Sequence, residues 1–113
     1  MESNTKDANH AILYAYLEKI RPPEHIRSQV DIGYSYDGTE VLLYQIRPHW
    51  QDASIIRHFP YAKMRFVKSK NIWRLYWLRA SGKWEAYTPM FESPNLKVLL
   101  DCVDEDKHHC FKG

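Results

Sequence analysis

The sequence predicts an α+β fold: a five-stranded antiparallel meander sheet flanked by an N-terminal and a C-terminal helix. Two observations predict it. Apolar residues recur with a helical period near both ends, and between them the period drops to two in short runs separated by tight-turn residues. The densest of these runs is Trp73 to Tyr87, WRLYWLRASGKWEAY, which sets five aromatics among basic residues around one turn.

Each element follows in order. Residues 1–6 are polar and read as disordered. Asp7 or Asn9 then caps a helix whose Leu13, Tyr16, Leu17 and Ile20 form one stripe and which Pro22 and Pro23 end. Val30, Ile32, Tyr34 and Tyr36 alternate with Asp31, Gly33, Ser35 and Asp37, the pattern of a strand with one dry face. Asp37-Gly38 is a tight turn, since both residue types tolerate positive φ. The strand over residues 40–47 is apolar on both faces through Val41, Leu42, Leu43, Tyr44 and Ile46, which places it inside the sheet and covered on both sides.

Residues 48–60 carry no pattern and read as a long loop holding His49, Trp50, His58 and Pro60; loops of this length are more often functional than not. Strands over 61–67, 72–79 and 84–87 follow, joined by turns at Ser69-Lys70 and Ser81-Gly82. After Ser93, Pro94 opens a helix with Leu96, Leu99, Leu100 and Val103 on one stripe, and 107–113 form a short tail. The expectation is a single domain over residues 1–113.

Composition narrows the function classes. A hydrophobic share of 44% and an aromatic share of 14% belong to a folded chain rather than a disordered one. No apolar run is long enough for a membrane span and the N-terminus lacks the order of a secretion signal, so a cytoplasmic protein is expected. With cysteine confined to Cys102 and Cys110, a disulfide framework is not expected and a reduced compartment fits. Net charge is +2 overall but unevenly spread: −3 over residues 1–46, +7 over 47–85 and −2 over 86–113.

Register arithmetic turns the basic block into a surface. A two-residue turn at Ser81-Gly82 sets Tyr76 opposite Tyr87, Trp77 opposite Ala86 and Arg79 opposite Trp84, and the same turn at Ser69-Lys70 sets Phe66 opposite Trp73 and Met64 opposite Leu75. Ala62, Met64, Phe66, Trp73, Leu75, Trp77, Trp84 and Ala86 then face the core. Lys63, Arg65, Arg74, Tyr76, Glu85 and Tyr87 face outward, with Arg65 directly opposite Arg74. Such a like-charge pair is unfavourable unless an anion or an acidic neighbour offsets it.

Other constellations point to chemistry less directly. Aromatics among cations on a sheet face suit single-stranded nucleic acid, because cations track phosphates while rings stack on bases. Cys102, His108, His109 and Cys110 carry zinc-type donors at unsuitable spacing, so helix packing with a polar tail is the simpler account and no metal or cofactor is expected. His49 or His58 could act as a general base if oriented by a carboxylate such as Asp52, yet there is no nucleophile elbow and no glycine-rich phosphate loop. No catalytic residue is assigned.

Several separated motifs carry a resemblance: Arg21-Pro22-Pro23 with His25-Ile26-Arg27 and Gln29-Val30, Arg47-Pro48 with Trp50, Ala62-Lys63 with Arg65-Phe66, Trp73 with Leu75-Tyr76-Trp77, Gly82 with Trp84 and Tyr87, and Phe111 with Gly113. Over residues 20–113 the chain resembles a small bacterial family catalogued only as a domain of unknown function. It departs from that pattern in having Gln45 and Ile46 before Arg47, where an acid and a base are common, and Lys112 where tryptophan is usual. The resemblance implies a bacterial, cytoplasmic, stand-alone domain and adds no mechanism. The resulting reading is a non-enzymatic binding or protein-interaction module with candidate contact residues Arg47, Trp50, Lys63, Arg65, Arg74, Tyr76 and Tyr87. The alternative is single-stranded nucleic acid or another polyanion on the basic sheet face, and an uncovered strand edge adds an expectation of homo-oligomerisation.

Overall fold

The computed structural model describes residues 3–111, with side chains from residue 8 onward. Residues 1, 2, 112 and 113, on which parts of the expected disordered start and of the terminal Phe-x-Gly motif fall, lie outside the described residues. The chain runs α1 (Ser3–Ile20), β1 (Asp31–Tyr36), β2 (Glu40–Pro48), β3 (Ile56–Val67), β4 (Ile72–Leu78), β5 (Trp84–Ala86), β6 (Glu92–Ser93) and α2 (Leu96–Glu105). The first five strands form the expected antiparallel meander in the order β1-β2-β3-β4-β5, and the short β6 also pairs with β4.

The core lies between one face of this sheet and the two helices. Leu13 and Tyr16 of α1 and Leu96, Leu99, Leu100 and Val103 of α2 are buried together with Val41, Leu43, Met64, Trp73 and Leu75. Each fully buried aliphatic side chain stabilises the fold by about 1.5–3 kcal/mol, and these stripes are therefore what holds the helices to the sheet. Helix α1 begins at Ser3, ahead of the expected cap, while α2 is capped by Asn95, whose side chain accepts from the Lys97 amide; Pro94 precedes the cap rather than opening the helix. Arg21, just past α1, grips Asp31 at the start of β1 with two hydrogen bonds of 2.8 and 2.7 Å, and this holds the Asp31 carboxyl below the usual carboxylate range.

Several expectations are corrected. The first hairpin turns at Gly38-Thr39, with Gly38 at φ +97°, while Asp37 accepts from the amides of Thr39 and Glu40 through its side chain. β2 is interior but covered by helices on one face only, so Leu42, Tyr44 and Ile46 are half-buried on the other. There the Tyr44 ring lies across β1 at Gly33, where a Cβ would approach its Cε1 to 2.9 Å.

The β4–β5 turn carries the largest correction. The register is Tyr76 opposite Ala86, Trp77 opposite Glu85 and Leu78 opposite Trp84, one residue away from the expected pairing. The loop holds three residues, Ala80 to Gly82: the Arg79 amide donates to Lys83 O at 2.9 Å, and Gly82 takes φ +88°. A slip of one residue exchanges the faces of the whole strand, so Trp84 and Ala86 turn outward and Glu85 turns toward the helix side. Trp73 is buried at 4% exposure and Trp77 packs half-buried against the core, as expected, but Trp84 does not belong to it. The Ser69-Lys70 register is as predicted, with Phe66 opposite Trp73, Met64 opposite Leu75 and Arg65 opposite Arg74.

Candidate binding surfaces

Of the segment expected to be a loop over residues 48–60, Pro48 and residues 56–60 are strand, and the connection shrinks to residues 49–55. β2 and β3 continue past their neighbours as a two-stranded arm: β1 reaches only as far as Ile46 and β4 only as far as Ala62, while β2 and β3 stay paired through Arg47 with Arg57 and Pro48 with Ile56. An irregularity at Leu43/Tyr44 inserts Tyr61 as an extra residue on β3, just where β3 runs past its pairing with β4. At the tip the His49 amide donates to Ile55 O at 2.7 Å, and the Asp52 carboxylate accepts from the Ser54 amide at 3.0 Å and from its hydroxyl at 2.6 Å, which keeps the Asp52 carboxyl below its usual range. The connecting loop is thus short and internally tied.

The arm exposes apolar side chains without a cover. Trp50 is 85% exposed, Ile56 55% and Phe59 47%. Arg47, Pro48, His49, Trp50, Arg57 and Phe59 surround a cleft of about 390 Å³. Arg47 and Arg57 stand directly opposite each other, and the Arg47 Nε donates to Gln45 Oε1 at 3.1 Å. Among the described residues no ion pair involves either arginine. By strand parity Arg47, Arg57 and Phe59 share the side of the sheet on which the helices pack, since β2 alternates without interruption from the buried Leu43.

The opposite face of the body is the outward surface. The Lys63 ammonium sits over both the Tyr76 ring, at 5.3 Å, and the Trp84 ring, at 5.0 Å. Arg74 donates to Glu92 Oε2 at 2.7 Å and lies over Phe91 at 5.4 Å, and Phe91 meets Tyr76 edge-on at 5.6 Å. In register, Glu40, Arg65, Arg74 and Glu92 form one row across four strands, so acids flank the arginine pair on both sides. Further along, Tyr44 and His58 stack at 4.6 Å.

The candidate residues therefore separate into three places. Arg47 and Trp50 belong to the arm, whereas Lys63, Arg65, Arg74 and Tyr76 share the outward face as expected. Tyr87 is not a surface residue: it is 3% exposed, packs on Phe111 at 4.9 Å, and its phenol is pushed up by burial, because the three-residue turn reverses the parity on which its outward placement rested. Sequence reasoning missed Arg57 and Phe59, which an alternation without a dry face concealed, and Trp84, Phe91 and Glu92, whose places depend on pairing.

His49 and His58 do not converge. The His49 ring stacks near Trp50 and its Nδ1 accepts from the Gln51 amide at 3.1 Å, while His58 lies on Tyr44 on the other side of the arm. Among the described residues no three His, Cys, Asp or Glu side chains gather into a metal-binding group. Cys102 and Cys110 are both free, and burial raises both thiols above their ordinary range. Among the described residues no helix is long and apolar enough to cross a membrane.

No match to this chain is found among curated proteins or among solved structures. A family model described as Domain of unknown function (DUF3024) does match, over residues 1–113, and the chain belongs to that family.

Proposed function

We propose that the protein is a non-enzymatic binding module that engages an anionic partner through its arm. One observation carries this reading: Arg47 and Arg57 face each other at the rim of a cleft, outside any ion pair among the described residues, beside a tryptophan that is 85% exposed. A like-charge pair directly across two strands opposes folding, and an exposed tryptophan adds nothing to the core. Both gain a purpose when an anion with an apolar or flat body occupies the cleft. In a bacterial cytoplasm, the setting expected from the sequence, such partners are plentiful.

Titration with heparin at low and moderate salt tests the reading. The parent protein is expected to bind with an affinity that falls as salt rises, and Arg47→Ala with Arg57→Ala to weaken it by an order of magnitude or more. A double variant that binds heparin as well as the parent would remove the arm from the contact surface.

A second reading, polyanion or single-strand binding on the outward sheet face, is favoured by Lys63 lying between two outward rings. It is weakened by Glu92, which already occupies Arg74. Selective loss in Lys63→Ala with Arg65→Ala would favour it. Self-association through the open edge of β3 is opposed by Arg57, His58 and Pro60, which respectively put charge, a ring and a missing amide donor on that edge.

A further inference from the structure

The arm cleft joins paired guanidinium groups to two exposed rings, and the rings narrow the class of anion. Trp50 and Phe59 line the same space as Arg47 and Arg57, and the cleft, about 390 Å³, lies at the lower end of the sizes that hold small organic groups. Simple polyanions present sulfates or carboxylates but no flat apolar surface, so they leave both rings in water. A nucleotide presents a phosphate and a π face side by side.

Resting on the reading of the arm as the contact surface, we propose that this cleft is a subsite for single-stranded nucleic acid, with Arg47 and Arg57 on backbone phosphate and one base stacked against Trp50 and Phe59. Guanidinium suits the first task because its planar fork matches phosphate oxygens, and the Gln45 contact steadies that of Arg47. Asp52, the acid in the tip, is turned onto Ser54, its Oδ1 accepting from both the amide and the hydroxyl, so the phosphate contact falls to the two arginines. A single strand is favoured over a duplex on two grounds. Bases in a duplex have their faces covered by their neighbours, and duplex affinity comes chiefly from neutralising many phosphates, for which a chain of net charge +2 is poorly supplied. Stacking supplies affinity that the modest charge does not.

The test uses the full chain with three probes of matched length or charge: a fluorescent single-stranded oligothymidylate, a DNA duplex, and heparin. Trp50→Ala, at an exposed position, is expected to weaken the oligothymidylate about tenfold while leaving heparin within twofold. Arg57→Gln is expected to lower the log–log salt slope for the single strand by about 0.7. Circular dichroism of both variants should match the parent.

Equal losses for oligothymidylate and heparin in Trp50→Ala, or a duplex that binds as tightly as the single strand, would overturn the nucleic-acid assignment while leaving an anion-binding arm intact. Binding of none of the three at low salt would overturn the arm reading as well.

Discussion

β2 and β3 run through two different surroundings, and each contains a pair of facing arginines. In the body of the sheet, Val41, Leu43, Ala62 and Met64 are at most 1% exposed, backed by helices and flanked by β1 and β4. On the arm β3 has lost β4, β2 keeps β1 only as far as Ile46, and every residue from 51 to 60 is exposed. Arg65 and Arg74 in the body are bracketed by Glu40 and Glu92, with Arg74 held at 2.7 Å. Arg47 and Arg57 on the arm stand outside any ion pair among the described residues. A cross-strand like-charge pair is unfavourable by a few tenths to about 1 kcal/mol. The body offsets that penalty internally and the arm does not, so the arm's cations are available to something outside the chain.

The largest expected contrast is in stability. Leu75→Ala removes a side chain with 0% exposure and should lower the unfolding free energy by about 2–5 kcal/mol in urea denaturation, whereas Phe59→Ala on the arm should stay within about 0.5 kcal/mol of the parent. Comparable losses at the two sites would mean that the arm is part of the core, and the comparison would break.

A second, smaller effect concerns the seam between α1 and β1. Asp31→Asn removes the anion and one of the two acceptor oxygens that Arg21 uses and should cost about 1.5–3 kcal/mol. Because Arg21 lowers the Asp31 pKa in the folded protein, this stability is fully present above the unfolded value of about 3.9 and is lost as pH falls through the lower folded value. The parent should therefore lose stability on acidification over that window more steeply than the variant. Parallel acid limbs would leave the Arg21–Asp31 pair with no part in the acid sensitivity.

The smallest effect sharpens the comparison of the arginine pairs. Glu92→Gln should destabilise the body by up to about 1 kcal/mol, since Arg74 then faces Arg65 with one offsetting acid removed. Arg57→Gln should be neutral or stabilising by a few tenths of a kcal/mol, because it relieves a repulsion that has no counterpart in the fold. Destabilisation by Arg57→Gln to the extent seen for Glu92→Gln would show that the arm pair is structural, and thermal unfolding of the two variants side by side decides it.

The sequence by itself determined the elements whose residues report their own burial. The stripes Leu13/Tyr16 and Leu96/Leu99/Leu100/Val103 and the runs through Val41 and Leu75 have the period of the structure they form, because a side chain buried against a partner layer must recur at the spacing of its element. The pairing of Arg65 with Arg74 was legible for the same reason, the turn at Ser69-Lys70 leaving Met64 and Phe66 in step with Leu75 and Trp73.

Only the tertiary structure decided what depends on a partner that periodicity does not name. Residues 56–60 form a strand with no dry face, so no alternation marks them, and Arg57 and Phe59 reach the cleft solely through pairing with β2. One extra residue in the Ala80–Gly82 turn sent Trp84 outward and Tyr87 into the core, because a sheet has a two-residue period and a single insertion reverses every side chain beyond it. The hold of Glu92 on Arg74 closes across strands eighteen residues apart in the chain, and a local reading of the sequence contains no term for it.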